Sequence, residues 1–506
     1  MGKQNNAATP FSIVLPVLSA YMVLVGVGLH FHELWLDESQ HFLIGRDSGS
    51  FSSLYWNMRY DGHPRLWNYM IFILTHSVSR SYVVMQVLHL VIAASAAFLL
   101  LRYSPFALEV KLLILLGYYF IFEFSVISRN YALGILLLFI VCMLIREPRR
   151  RLLWIGFLLF VMCNTHLFFA FASMGVFFYL LIEYRKGREW LSRRFALFTL
   201  QFMAGFVCII IQTRVPQEEN FHHTYPAEWL SGKNLSFAAF GVIRGWLPVP
   251  RVKEVMEGHF WNSYALSEYY VGPVFLVLLL AFFVLLPWVL WRRDIKTLVF
   301  YYVSFFFIWA FFIVTQQTAT RYFGMVYIYF LAAWWMAGGN WGAVGPGLAK
   351  VVRVMLYGIL FIQVGVGLLA YEQDIARPFS SSKDAVDFLK KKGLDSQAIV
   401  LDGYNGGPMI SAYLGRELYC TTTGKEGSYV IWKTSYWPRP RPTIGQEIAR
   451  SPYLQGLNSY VIVSTLKLDT GRIEVGDRAW RLSCLASFTG SVVKENFFIY
   501  QSKSSQ

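Results

Sequence analysis

Long apolar runs separated by short polar turns fill the chain up to residue 371, and that pattern sets the reading of everything else. A helix that crosses a bilayer needs about 20 mostly apolar residues. Segments of this character fall at Phe11–Phe31 and near 82–101, 112–125, 130–145, 152–163, 167–182, 195–213, 271–291, 297–314, 322–337 and 351–370, which predicts about eleven spans. Phe11–Phe31 follows Lys3 as the core of a signal peptide would, yet no small-residue cleavage site comes after it. The chain runs instead into His32-Glu-Leu-Trp-Leu-Asp-Glu-Ser, so an uncleaved first span is expected. Leu66–Ser77 is too short to cross and has polar flanks, which predicts an interfacial helix.

Beyond residue 371 the pattern changes to short alternating elements. Ser381-Ser-Lys-Asp-Ala-Val-Asp-Phe-Leu reads as a capped helix, Ala398-Ile-Val-Leu as a strand and Met409 to Leu414 as a helix, while Tyr429-Val-Ile-Trp and Tyr460-Val-Ile-Val read as further strands. The expected architecture is an all-α polytopic membrane domain over residues 1–371 and a small α/β domain over 372–506.

Composition agrees, because only 15% of the residues are charged against about 25% in a soluble domain. The net charge is nonetheless +15, from 45 Lys+Arg and 30 Asp+Glu. Its location explains it. Arg146, Arg149, Arg150 and Arg151, then Arg185, Lys186, Arg188, Arg193 and Arg194, then Arg292, Arg293 and Lys296 fall on one side when eleven spans alternate, together with Lys3. Basic loops stay cytoplasmic, so the N-terminus is expected in the cytoplasm, with the loops 32–80 and 214–269 and the terminal domain outside a bacterial plasma membrane. The basic excess is then an orientation signal, and no aromatic-interleaved basic patch supports nucleic-acid binding. Five cysteines exclude a disulfide scaffold, although Cys420 and Cys484 in the outer domain could form one bridge in an oxidising compartment.

Chemistry-bearing residues gather at the outer ends of the spans. Asp37-Glu38 follows the first span and Asp61-Gly62-His63-Pro64 precedes the interfacial helix. Glu123 and Ser128-Arg129-Asn130-Tyr131 lie between the third and fourth spans, Asn164-Thr165-His166 between the fifth and sixth, and Thr320-Arg321-Tyr322 opens the tenth. Ionisable groups at a span are costly and point to function by default. A carboxylate can deprotonate a hydroxyl acceptor, and paired arginines can hold a phosphate leaving group. Base plus phosphate clamp suits transfer from a phosphate-activated donor. Nucleotide donors are scarce outside the cytoplasm, so a donor whose phosphate sits at headgroup level fits.

Taken in order and sidedness, the Asp-Glu pair, the His-Pro turn, Arg-x-Tyr, Thr-His and the late Arg-Tyr resemble the GT-C superfamily of glycosyltransferases. The likeness is greatest to the branch of protein O-mannosyltransferases, aminoarabinose transferases and related bacterial enzymes, over most of residues 11–340. The resemblance implies a sugar carried on a polyprenyl phosphate and a lipid, glycan or protein hydroxyl as acceptor, on the outer face of the bilayer. It makes Asp37 the catalytic carboxylate and Glu38 its partner, either tuning it or holding a divalent metal with it. Arg129 and Arg321 fall near the lipid phosphate, His63 at the interfacial helix, Tyr131, His166 and Tyr322 along the pocket wall. Relatives often carry His-Pro-Pro where this chain has His63-Pro64-Arg65, and an acid two before the arginine where it has Ile127. Glu123, one helical turn from Ile127, could supply that carboxylate or pair with Arg129.

Other readings stand beside these. A flippase of lipid-linked sugars would share the spans and basic pockets, but tends to place polar groups at the midplane within inverted repeats. An O-antigen-ligase-like enzyme would be expected to lack the early Asp-Glu loop and the terminal domain. His222, His223, Glu228 and His259 share an outer loop but lack the spacing of a metal site. Asp402-Gly-Tyr-Asn-Gly-Gly-Pro follows an expected strand without the G-x-G-x-x-G pattern and reads as a turn.

Overall fold

A computed structural model describes residues 9–214, 216, 231–267, 284–317, 319–339, 345–403, 406–437, 440–475 and 478–505. The outer-loop residues His222, His223, Glu228 and Trp229, and the first part of the 271–291 segment, lie outside the described residues. The described helices are α1 (Phe11–Phe31), α2 (Leu36–Asp47), α3 (Phe51–Asn57), α4 (Leu66–Ser77), α5 (Val83–Tyr103), α6 (Leu108–Leu116), α7 (Tyr131–Leu144), α8 (Pro148–Cys163), α9 (Leu167–Arg185), α10 (Arg193–Thr213), α11 (Gly232–Trp246) and α12 (Val252–Glu257). They continue with α13 (Ile295–Thr315), α14 (Thr320–Met336), α15 (Pro346–Ala376), α16 (Ser382–Lys391), α17 (Gly407–Leu414) and α18 (Ile444–Arg450).

Six of these, α1, α5, α9, α10, α13 and α15, are long and apolar enough to cross a membrane. The chain is an integral membrane protein built as a helical bundle. Helices α7, α8 and α14 coincide with three further expected spans but are shorter, and residues 284–291 form the end of a fourth. The expected third span is broken. Helix α6 stops where Gly117 turns extended, and one π-helical turn, Tyr119–Glu123, follows it. Such turns are rare and gather at functional sites. Helix α14 is apolar almost all round its circumference, which is the mark of a helix surrounded by protein; it is buried from Thr320 to Trp335 except at half-buried Tyr322.

Within the expected outer loop, α11 packs against α14. Its Gly241 and Gly245 touch Phe323, so a side chain at either position would collide with that residue. Trp246, at its end, meets Phe330 with ring centroids 4.6 Å apart. The segment is amphipathic and too short to register as a span, and it is anchored by this glycine face.

The C-terminal part folds on one mixed sheet. Its strands are β1 (Ile399–Asp402), β2 (Leu418–Cys420), β3 (Lys425–Gly427), β4 (Ser459–Ser464), β5 (Gly471–Val475), β6 (Arg478–Phe488) and β7 (Phe497–Ser505), in the order β3-β2-β1-β4-β7-β6-β5. Strand β1 runs parallel to β2 and β4, and the other pairs are antiparallel. Val461 and Ile499 face one core with α16 and α17, and Tyr460 and Tyr500 face the other with α18.

One expectation fails here, and one open possibility is closed. Tyr429-Val-Ile-Trp is not a strand. The Val430 backbone is captured by a side chain instead: its N–H donates to Gln40 Oε1 at 2.8 Å, and Gln40 Nε2 donates to its carbonyl at 2.7 Å. Cys420 and Cys484 are both free thiols. They lie on β2 and β6 with β1, β4 and β7 between them, about 19 Å at the usual strand spacing, beyond the reach of a disulfide.

The same outer loop is gripped by the terminal domain at more points. The Leu34 N–H donates to the Tyr413 hydroxyl at 2.8 Å, the Phe379 N–H to Glu33 Oε2 at 2.7 Å, and the Ser428 hydroxyl to Asp47 Oδ2 at 2.6 Å. Helix α2 is thereby held between bundle and sheet.

Candidate active site

Asp37 and Glu38 occupy the first turn of α2, where the helix dipole favours negative charge. Consecutive helical residues point about 100° apart, and the two carboxylates accordingly diverge. Asp37 Oδ2 lies 3.1 Å from Arg129 Nη1 and 3.0 Å from Arg321 Nη2. Burial pushes the Asp37 carboxyl up, but the two guanidiniums outweigh it and hold the group below its ordinary range. The Asp37 side chain is 29% exposed while Arg129 and Arg321 are 3% and 8% exposed. The carboxylate is thus the more open member of the cluster, with both guanidiniums behind it.

Glu38 turns inward and is fully buried. Its Oε2 lies 2.9 Å from His32 Nε2, and His32 Nδ1 lies 3.0 Å from Asp374 Oδ2 on α15. The Ser128 N–H donates to Glu38 Oε1 at 2.5 Å. The residue after Ser128 is Arg129, so Glu38 fixes the backbone that carries the guanidinium facing Asp37.

Arg321 stands at the start of α14 inside an aromatic box. Its guanidinium carbon is 5.0 Å from the Trp35 ring centre, 5.4 Å from Trp261 and 5.0 Å from Tyr322. Arg129 Nε and Arg321 Nε and Nη1 are buried with no hydrogen-bond acceptor among the described residues. Buried donors of a charged group are expensive to leave unpaired, and both arginines already share the Asp37 carboxylate, so an oxyanion bound beside it could satisfy them. Trp35 and Trp261 also line a cavity of about 630 Å³ that reaches Arg244, Arg251, His259 and Phe323. That is a pocket of ordinary ligand-binding size.

Glu123 does not pair with Arg129. Its Oε2 accepts from the Tyr118 hydroxyl at 2.5 Å and from Trp261 Nε1 at 3.0 Å, so it holds one wall of the arginine box. His63, His166, Tyr131 and Tyr322 form a second wall of successive ring contacts at 5.7, 4.7 and 6.3 Å. The Phe168 N–H donates to His166 Nδ1 at 3.3 Å, which leaves the proton on Nε2.

Of the nine residues singled out in the sequence, Asp37, Arg129 and Arg321 meet in one ion-paired cluster and His63, His166, Tyr131 and Tyr322 form one chain of ring contacts, while none of the nine lines the 630 Å³ cavity. Glu38 and Glu123 act through neighbours. Sequence reasoning missed the His32–Glu38–Asp374 chain, whose last member is contributed by a span expected to be inert. It also missed His41, which stands one turn from Asp37 on the same face of α2, a spacing that was open to view.

A divalent metal between Asp37 and Glu38 does not fit. Glu38 is committed to His32 and the Ser128 N–H, Asp37 to two cations, and their oxygens do not converge. Among the described residues, the group that could hold an ion is His41, Asp61 and His63, next to the pocket. Burial, followed by the Arg129 charge, presses the His41 imidazole down to about 4 and keeps it neutral.

Fold and site together define a polytopic membrane protein with a C-terminal α/β domain. The chain is similar over 97% of its length to the crystal structure of ArnT from Cupriavidus metallidurans bound to undecaprenyl phosphate, of which it covers 98%, with 13% identity and a TM-score of 0.50. At that identity the likeness establishes the fold. No protein-family profile matches the sequence, and no curated protein does.

Proposed function

We propose that this chain is a glycosyltransferase that takes a sugar from a polyprenyl-phosphate donor at the outer face of a bacterial plasma membrane and gives it to a hydroxyl of a lipid, glycan or protein. The observation that carries the reading is one carboxylate, Asp37, set between two buried arginines that keep buried donors with no acceptor among the described residues. The similar structure holds undecaprenyl phosphate, which supports a lipid phosphate as partner. The N-terminus is cytoplasmic in this reading, and residues 372–506 form the outer domain.

The donor phosphate enters between Arg129 and Arg321 and draws them from Asp37. Released from its ion pairs, the carboxylate becomes more basic. It takes the proton of the acceptor hydroxyl as that oxygen bonds to the anomeric carbon. The bond from that carbon to the phosphate oxygen breaks, and the arginines hold the departing lipid phosphate. Attack opposite the leaving group inverts the anomeric configuration.

The test is sugar transfer from a synthetic polyprenyl-phosphate donor by protein in detergent. Asp37→Asn should lose about 10²- to 10⁴-fold in turnover while unfolding at the wild-type temperature. A folded variant with wild-type turnover overturns the assignment.

A further inference from the structure

The structure assigns a zinc-type cation site to His41, Asp61 and His63, a set separate from the two acids at the start of α2. Each of the three offers one ligand atom, and these atoms lie within 4.8 Å of one another. His41 comes from α2, while Asp61 and His63 come from the turn that leads into α4. The site is therefore closed by the packing of two helices rather than by one flexible loop.

The His41 tautomer is set by Asn68 on α4. Asn68 Nδ2 donates to the His41 carbonyl at 3.1 Å, which orients the amide, and its Oδ1 then lies 3.0 Å from His41 Nδ1. An oxygen there demands a proton on Nδ1, so Nε2 presents a lone pair. A ring nitrogen held this way by a buried amide is the outer-shell arrangement of metal-binding histidines. His63 Nδ1 and Asp61 Oδ1 share a proton at 2.5 Å, which an ion would displace. The His41 and His63 rings stand edge to face at 5.4 Å.

Two imidazoles and a carboxylate match zinc better than magnesium or calcium, which prefer oxygen. Zinc ligands sit at about 2.0–2.2 Å from the ion, hence roughly 3.4 Å from one another. Side-chain rotation covers the difference. Three protein ligands leave the fourth position open, as in catalytic zinc sites. Asp37 lies one turn from His41 on α2, and His63 is 5.7 Å from His166 of the pocket wall, so an ion here adds positive charge beside the phosphate place. That role rests on the transfer reading; the binding of the ion does not.

The experiment uses the whole chain in detergent, stripped with EDTA and titrated with Zn²⁺ alone, and with Co²⁺ for its visible absorption. The wild type should take one equivalent and give the spectrum of four-coordinate cobalt. His41→Gln and Asp61→Asn should lose that equivalent. Asn68→Leu, which keeps all three ligands, should weaken binding by about 10- to 100-fold, with unfolding temperature in the metal-free state as the folding control. No stoichiometric uptake by the wild type, or an undiminished equivalent in folded His41→Gln or Asp61→Asn, overturns the site. Transfer activity lost in Asp37→Asn with zinc uptake intact would uphold both readings; zinc uptake by a chain that transfers no sugar would uphold this one alone.

Discussion

Glu38 and Ser128 lie 90 residues apart and meet through a single hydrogen bond, from the Ser128 N–H to Glu38 Oε1 at 2.5 Å. Because Asp37 and Arg129 are their chain neighbours, that bond sets the pairing of the Asp37 carboxylate with its first arginine. Glu38→Gln keeps an oxygen for Ser128 and loses the charge opposite His32. It is expected to retain most of the unfolding temperature and to transfer sugar more slowly. Glu38→Ala removes one of the two carboxylates on His32 and leaves the buried Ser128 N–H unpaired, and it should lose about 3 kcal/mol or more. Thermal unfolding in detergent orders the three proteins, and an alanine variant as stable as wild type would count against a positioning role.

Arg321 affects both rate and pH dependence. In the proposed reaction Asp37 serves as base only when ionised, and Arg129 and Arg321 hold its carboxyl below the ordinary range against the effect of burial. Removing one cation in Arg321→Gln raises that pKa, so the acid limb of kcat/KM moves to higher pH. Turnover should also fall by about 10²- to 10³-fold, as for loss of one oxyanion donor. Arg321→Lys keeps the charge and loses the planar fork. Its limb should stay near the wild-type position while turnover still drops. A pH–rate series on the three proteins separates charge from geometry, and an unmoved limb in Arg321→Gln would break the link to Asp37.

The spans and the site were legible in the sequence to different depths, for reasons that individual residues show. Asp37, Arg129 and Arg321 could be placed together because apolar runs fix depth, and charged groups at one depth and one side must share an interface. What apolar runs cannot show is direction. Whether Glu38 faces the pocket or the interior depends on the roll of α2, and that roll is set by the terminal domain through Leu34, Gln40 and Asp47. The Tyr429–Trp432 stretch had the composition of a strand, yet its backbone partner is the Gln40 side chain, a long-range competitor invisible in local pattern. Likewise β5, at the edge of the sheet, and β6 beside it carry exposed positions and alternate too weakly to stand out. Helix α11 hid in a loop because small residues, not a long apolar run, seat it against Phe323.

Gln40 offers a test of how the terminal domain steers the pocket. Its amide closes both hydrogen bonds of Val430 in a buried place, and each is worth about 1 kcal/mol net, with a further penalty for a buried backbone group left unpaired. Gln40→Ala should therefore cost roughly 2–4 kcal/mol locally. Limited proteolysis is expected to open the chain near residues 428–433 before the bundle is cut. Asp37 itself is untouched, so the loss of transfer should be modest and should grow with temperature. Equal proteolytic resistance of variant and wild type would show that this contact does not hold the two parts together.

Glu495 couples the same junction to pH. It is half-buried where the terminal domain meets α2, and its Oε1 accepts the Leu36 N–H at 3.1 Å, one residue before Asp37. Burial raises its carboxyl from 4.5 to about 7, against the lowering effect of hydrogen bonds from Ser380 and Leu36. A raised pKa means that the folded protein holds this proton more tightly than the unfolded chain. The resulting stabilisation is complete below the unfolded value of 4.5 and is lost as pH rises through about 7. Glu495→Gln stays neutral throughout and keeps an oxygen for Leu36. The two proteins should then unfold at similar temperatures at pH 4.5, and the variant should lead by roughly 3 kcal/mol at most at pH 8. A gap that is constant across that range, or one that widens towards acid, would mean that Glu495 is not the group whose proton tightens the junction.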